Sequence, residues 1–550
     1  MYNAAIAPIF HPVNVLHFPA VSGEERLPVD ALRAQLRERG YLSHGIERWF
    51  ALDPWSSRTF WAELATVALK AATLVALFGA LPMVAVMLFR NHPLSAFETL
   101  ELTVLYFAAR LVGAFVFLVV LALVLKLRPA AIVDTPRWLL GISFAAAALL
   151  TAPIIVWWYG FEAPPTLPEL LAGLGLVVLF FLIATIVVSA AMLSFSIYEL
   201  HRVPAIHQRP RGIPMTAAAA ILMALLFIPA YAAQDRQPPK APLQVVITPT
   251  SARVALVAVD GLTFDVFRSR PALSGAFASA VAASELPAGS TTERWASVGT
   301  GVPTAAHGVQ AVEGVRLPAG SHLLQTISRT DFVLRRAPLV QRLPLPPTVR
   351  RRDYVWEIVS ARGVSSLAVN WWTTDSVRAG ALESIGQEPI FAAAKGDAVR
   401  VDELATRRFL EAADRDHPQF ATVYLPALDV VLHRLPLAPT ARLAASVRAL
   451  DGIDAAVAAI RSRGYEVVLV GDDVIASTGA LEPHPGLSLF DVAPTLLARL
   501  GFPASEEMPG RSLDGNAPRI PTYGARAASS APTKVNEEYY ENLKSLGYIR

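Results

Sequence analysis

Two patterns of apolar and polar positions divide the chain. Between residues 61 and 234 lie five long apolar stretches, at 71–89, 102–125, 138–160, 170–198 and 212–234. A helix needs about 20 mostly apolar residues to cross a bilayer core, so each stretch reads as a membrane span. Four carry no charge. The second holds Arg110 about a third of the way in, where the side chain either snorkels outward past Glu101 or faces the interior of the bundle. From residue 245 the pattern changes to short β-branched runs at 253–259, 365–370, 420–425 and 466–470, apolar enough for buried, mostly parallel strands. Helical stretches at 354–361 and 441–462 alternate with them. That order predicts a multi-pass α-helical membrane region followed by an α/β domain, with a mostly parallel central sheet and helices on both faces.

Residues 1–60 are polar to amphipathic and lack the short apolar core of a secretory signal, so they read as a cytoplasmic N-terminal segment. A five-helix transmembrane region follows over 61–234, then a Pro-rich linker over 235–244, the α/β domain over 245–515 and a tail over 516–550. Cytoplasmic loops are enriched in Lys and Arg, which sets the orientation. Lys126, Arg128 and Arg137 flank the second connection and Arg202, Arg209 and Arg211 crowd the fourth, whereas the third holds Glu162 and Glu169. The expectation is an integral protein of a bacterial-type plasma membrane, with the N-terminus cytoplasmic and the α/β domain outside. Arg209, Arg211, the fifth apolar run and Ala230-Tyr231-Ala232 imitate a cleavable signal. Small residues also end many uncleaved helices, and retention is the expectation.

Composition sharpens this reading. Only 17% of residues are charged while 53% are hydrophobic, which argues against a wholly soluble protein. Cysteine is absent, so disulfides, Cys-ligated zinc, iron–sulfur clusters and thiol nucleophiles are excluded. The net charge of +3 is thinly spread and gives no case for a nucleic-acid partner; membrane lipids are the expected surroundings.

In α/β sheets ligands gather at the carboxyl ends of strands. Three predicted strands end in acid: VALVAVDG at Asp260, ATVYLPALD at Asp429 and EVVLVGDD at Asp472 and Asp473. Any one of these could simply cap the next helix, but three together are less easily dismissed. His433 lies four residues after Asp429, on the same face of a helical turn, where the two could share a cation. The segment TTERWASVGTGVPTAAHGV, residues 291–309, is hydroxyl-rich and enters a helix. Thr291 or Thr292 is then either a helix cap or a nucleophile at a positive helix end.

Taken in order, these motifs resemble the type I phosphodiesterase and nucleotide pyrophosphatase branch of the alkaline phosphatase (sulfatase-like) superfamily. The chain supplies VAVDG, TTERWASVGTG with HGV, YLPALDVVLH, GDDV and LFDVAPTLLARLGFP in the family's order, and YVWEIVSARG, MPGRSL and LKSLGYI resemble its further elements. The resemblance implies Asp260 and Asp472 as ligands of a first metal, Asp429 and His433 as ligands of a second, and Thr291 as the nucleophile. Asp473 stands where the family has a His ligand, and the segment with the family's final His is shortened. His484 is the one remaining candidate for that role, while His307 falls in a turn that is structural in the family. The first site would thus consist of Asp260, Asp472, Asp473 and the Thr291 oxygen. Zn is the metal the resemblance implies, although an oxygen-rich set suits Mg, Mn or Ca better. The second site falls below the three protein ligands expected of a catalytic zinc.

The expected function is a membrane-anchored, extracytoplasmic, metal-dependent phosphodiesterase or phosphatase-like hydrolase with a Thr nucleophile and an incomplete metal site. Its phosphoester substrate would be a lipid headgroup or a nucleotide. Two alternatives stand beside it. One is a catalytically inactive binding or scaffold protein that keeps the fold after losing ligands. The other is a lipid headgroup phosphotransferase, which shares the plan of five spans and an outward-facing domain.

Overall fold

A computed structural model describes residues 58–126, 144, 148, 246–526 and 537–549, apart from 92–93, 249, 285–289, 319, 321–322, 326–333, 335–336 and 338. The third, fourth and fifth apolar stretches, the N-terminal segment and the linker fall outside the described residues, but for 58–60 at the end of the N-terminal segment and 144 and 148 in the third stretch.

The first two apolar stretches form a hairpin of α1 (Arg58–Arg90) and α2 (Ala96–Lys126). On α1 the buried positions Ala68, Ala72, Ala76 and Ala80 recur every four residues, followed by Val84 and Leu88. A row of small side chains lets two helix backbones approach closely. Ser95 and Glu98 close the first turn of α2 reciprocally: the Ser95 amide donates to Glu98 at 2.9 Å, and the Glu98 amide donates to Ser95 Oγ at 3.2 Å. Among the described residues, Ala96–Val120 is the one helical segment long and apolar enough to cross a membrane, and it contains Arg110. Leu100, Val104, Val112, Val116 and Val120 turn outward along it.

The α/β part contains, in chain order, β1 (Val254–Val259), β2 (Ser279–Ala282), β3 (Glu313–Arg316), β4 (Leu323–Gln325), β5 (Gln341–Pro344), β6 (Ser366–Val369), β7 (Val377–Ala379), β8 (Leu382–Ile385), β9 (Phe420–Leu425), β10 (Glu466–Val470) and β11 (Val474–Ser477). Eight of them form one sheet in the order β2-β11-β10-β1-β9-β6-β8-β7. The five strands from β10 to β8 run parallel, and β11, β2 and β7 add antiparallel edges. The large, mostly parallel sheet agrees with the expected α/β class. β1 and β9 are buried at every position, which is the mark of strands covered on both faces.

The helices that position the site are α3 (Phe264–Arg268), α4 (Thr291–Thr300), α5 (Val355–Ser360), α6 (Ala398–Asp416), α7 (Pro439–Arg461), α8 (Val492–Arg499) and α9 (Glu537–Ser545). α6 packs on β6, β9 and α7, and α7 on β1 and β10; α5 packs on β6, β8 and α8, which in turn meets α4. The sequence of α6 explains its placement. Asp397 caps it by accepting from the Val399 and Arg400 amides, and Val401, Ala405, Phe409 and Ala412 form one buried stripe.

A smaller antiparallel sheet, β4-β3-β5, receives the closed end of the hairpin. Met83, Val84, Met87, Leu88, Leu94, Leu102 and Tyr106 form one apolar cluster with Val315, Leu317, Leu324 and Leu334. Within that contact the Gln325 amide donates to Asn91 Oδ1 at 2.7 Å.

Candidate functional site

The three parallel strands β9, β1 and β10 are neighbours, so the acids that follow them converge at one end of the sheet. Asp260 directly follows β1 and is fully buried. Its carbonyl accepts from the Asp429 amide at 3.1 Å, and Asp472 Oδ1 accepts from the Gly261 amide at 3.0 Å. Gly261 makes this closeness feasible: its φ is +84°, and a Cβ there would stand 2.6 Å from the Asp429 nitrogen. Asp260 and Asp429 are thereby joined through the backbone, and the Asp472 carboxylate is tied to the same turn.

Two arginines close on these acids. Arg294, in the first turn of α4, pairs with Asp260 and lies 3.4 Å from Asp472. Arg434 pairs with Asp429 and donates to Thr291 Oγ1. Tyr424, on β9, donates to the second Asp260 oxygen at 2.7 Å. Thr291 opens α4 and is buried; Ser290 caps that helix by accepting from the Glu293 amide. The site therefore holds three carboxylates, two guanidiniums, one phenol and one threonine hydroxyl.

Burial makes charge expensive here. It pushes Asp472 up to about 6; the Arg294 charge opposes that rise and the neighbouring Asp260 charge adds to it. Burial, followed by the Asp260 charge, also raises Asp429 against the pull of Arg434. Tyr424 lies far above the ordinary phenol range, through burial and then the adjoining Asp260. Asp402, on α6, accepts from the Ala427 amide at 3.1 Å, and burial holds it well above the usual carboxylate range.

The floor of the site is aromatic. Trp295 meets Tyr424 edge to face at 5.3 Å and Trp371 at 6.1 Å, and Trp371 continues to Trp356 at 4.8 Å. Such pairs contribute about 0.5–1.5 kcal/mol each beyond area burial, and they stiffen the frame that carries Asp260 and Arg294.

Several of the residues singled out in the sequence lie apart from this cluster. His433 is exposed, and the reason is local geometry: Val430–Arg434 is a π-helical turn. A wider turn brings position i+5 rather than i+4 over position i, so Arg434 instead of His433 faces Asp429. Asp473 accepts from the Phe264 amide at 2.5 Å, next to the Thr263 cap of α3. Thr292 donates to the Ala311 carbonyl at 2.7 Å and acts in the loop. His307 is buried between Ser297 Oγ at 2.9 Å and the Val309 amide, with burial lowering it to about 3. His484 lies 3.3 Å from Asp491, away from the acids.

Arg294, Arg434 and Tyr424 were not anticipated. The available signals were slight: an arginine in the first turn of an otherwise buried helix, and a second one adjoining His433.

This donor set does not fit a pair of divalent metals. Among the described residues no three His, Asp or Glu side chains converge to hold an ion. Asp260 with Asp472 and Asp429 with Thr291 are each bridged by a guanidinium instead. A divalent ion entering there would meet a covalently held positive charge at close range, in a buried setting where such repulsion is weakly screened.

Residues 254–481 match the family model described as type I phosphodiesterase/nucleotide pyrophosphatase. The match supports a phosphoester-hydrolase type of domain, in a family that generally depends on divalent metal. No curated protein matches the chain. Among solved structures, phosphonoacetate hydrolase from Sinorhizobium meliloti, in complex with phosphonoformate, is 13% identical with a TM-score of 0.28, over 42% of this chain and 60% of that one. Human ectonucleotide pyrophosphatase/phosphodiesterase 5 is 14% identical with a TM-score of 0.29, over 40% of this chain and 56% of that one. The chain thus spans less than two thirds of either protein.

Proposed function

We propose that residues 246–526 form a membrane-tethered, extracytoplasmic domain that binds phosphoesters through Arg294 and Arg434, without appreciable turnover. The observation that carries this reading is the placement of one guanidinium on each acid group: Arg294 on Asp260 and Asp472, Arg434 on Asp429 and Thr291. Arginine presents a planar fork of donors that matches phosphate oxygens, and the first amides of α4 add a positive helix end beside Thr291. The carboxylates orient the guanidiniums, and protonation of Asp472 near pH 6 would free part of the Arg294 charge for an anion. Among the described residues no histidine is placed to serve Thr291 as a base: His307 and His484 are engaged elsewhere and His433 faces outward. α1 begins at Arg58 and α2 ends at Lys126, both at the hairpin end away from the domain, which favours placing that end in the cytoplasm.

A second reading is supported by the family match and by Thr291 in the first turn of α4: metal-dependent hydrolysis with Thr291 as nucleophile, after both arginines swing aside. Calorimetry of the full-length protein in detergent separates the two, with bis(p-nitrophenyl) phosphate as probe. The expected result is saturable binding in EDTA, lost in Arg434→Met, with no release of p-nitrophenolate on adding Mg, Mn or Zn. Metal-dependent release that disappears in Thr291→Ala would overturn the binding reading in favour of hydrolysis.

A further inference from the structure

The C-terminal tail reaches the site from outside the sheet. α9 ends in a left-handed Gly547 at φ +77°, and the Tyr548 amide turns back to the Leu543 carbonyl at 3.0 Å. This cap directs the next two side chains inward. Leu543, Leu546, Tyr548 and Ile549 are all buried in the main core. Tyr539 and Tyr540 fasten the helix by donating to Gln387 at 2.7 Å and to Glu313 at 2.9 Å.

The contact made by the tail is specific. The Arg434 guanidinium lies over the Tyr548 ring, 4.4 Å from its centroid. Trp372 meets the same ring edge to face at 5.0 Å. Gly547 sits so near the Arg434 backbone that a Cβ there would be 3.0 Å from its carbonyl oxygen. Arg434 is thus held between Asp429 and Thr291 on one side and the tail on the other.

We infer that Tyr548 is a positioning residue: its ring holds the Arg434 guanidinium on Asp429 and Thr291, in the orientation that receives a phosphoryl oxygen. The inference rests on the binding role proposed for Arg434. A guanidinium over an aromatic face is attracted by the ring's electron density, and the hydroxyl is not needed for that. A leucine would preserve apolar burial but remove the attraction. The ring therefore acts on Arg434 by a route that a purely space-filling residue lacks.

Two measurements on the full-length protein in detergent test this. The first is the rate of phenylglyoxal modification of Arg434, followed by peptide mass. The second is the affinity for bis(p-nitrophenyl) phosphate. Tyr548→Phe should match the wild type in both. Tyr548→Leu should speed modification and weaken affinity by roughly 2- to 30-fold, the range of a cation–π contact. Unchanged modification in Tyr548→Leu, or an equal effect of Phe and Leu, overturns the positioning role. If modification responds as expected while the wild type binds no phosphoester, the positioning role stands and the binding reading falls.

Discussion

At the site, the decisive interaction is between Arg294 and Asp260. Asp260 is fully buried, and its two oxygens are engaged by Arg294 and Tyr424. Removing one partner of such a pair leaves a desolvated charge, a loss of about 3–5 kcal/mol. Arg294→Ala should therefore lower the melting temperature in EDTA. It also uncovers Asp260 and Asp472, so millimolar Mn or Mg should restore part of the loss in the variant while leaving the wild type unmoved. A variant as stable as the parent, with no response to metal, would contradict the account of the arginine as a built-in cation.

His307 supplies a pH test at the same scale. Burial lowers its folded-state value to about 3, so the folded protein prefers the neutral ring. The sign follows from linkage: the contribution is intact above the unfolded value near 6.5 and is lost as pH falls from there toward 3, by at most about 1.4 kcal/mol per pH unit. Asp472 works the other way. Its raised value favours the folded state in acid, an advantage lost as pH rises through about 6. Comparing urea denaturation of wild type and His307→Gln across pH isolates the histidine term. The stability difference should shrink as pH falls below 6.5.

What the sequence revealed of the site was its acids. Asp260, Asp429 and Asp472 ended recognisable strands, and strand order alone brings them together. The arginines were illegible because their roles depend on how side chains fold back across three elements. His433 illustrates the difficulty: a four-residue spacing implies one face only if the turn is α-helical, and the π turn at Val430–Arg434 changes which residue faces Asp429.

At the element scale, the buried parallel strands were the most legible parts. The apolar runs at 253–259, 365–370, 420–425 and 466–470 correspond to β1, β6, β9 and β10 within a residue at each end. β8 was not read because LESI is short and half polar, and β2 and β11, which are far apart in the sequence, owe their place to pairing with each other rather than to pattern. Gly261 shows how strictly the strand ends are joined. Gly261→Ala would impose a positive φ on a residue with a Cβ and force that atom against the Asp429 backbone. The expected result is a loss of at least about 1–3 kcal/mol, with weakened phosphoester binding because Asp260 and Asp429 are pushed apart. Chemical denaturation and calorimetry on the same preparation would check both.

For the whole molecule, the hairpin and the α/β domain are joined by more than chain connectivity. Asn91 bonds the backbone of Gln325, whose side chain bonds the Gly308 carbonyl at 2.6 Å and the Gln310 amide at 2.7 Å. Ser290 in turn donates to the Gln310 carbonyl at 3.1 Å, beside Thr291. The domain therefore sits on the same side as the turn between α1 and α2, with Arg58 and Lys126 at the far end of the hairpin. If α2 spans the membrane, those two ends must lie on opposite sides of it. The chain has no cysteine, so single Cys substitutions give clean reporters. In intact cells with a permeable outer layer, a membrane-impermeant maleimide should label Ala525→Cys and leave Lys126→Cys unlabelled until the membrane is opened. Labelling of both positions from outside would mean that α2 does not cross, and the hairpin would then be a docking arm of the domain rather than its anchor.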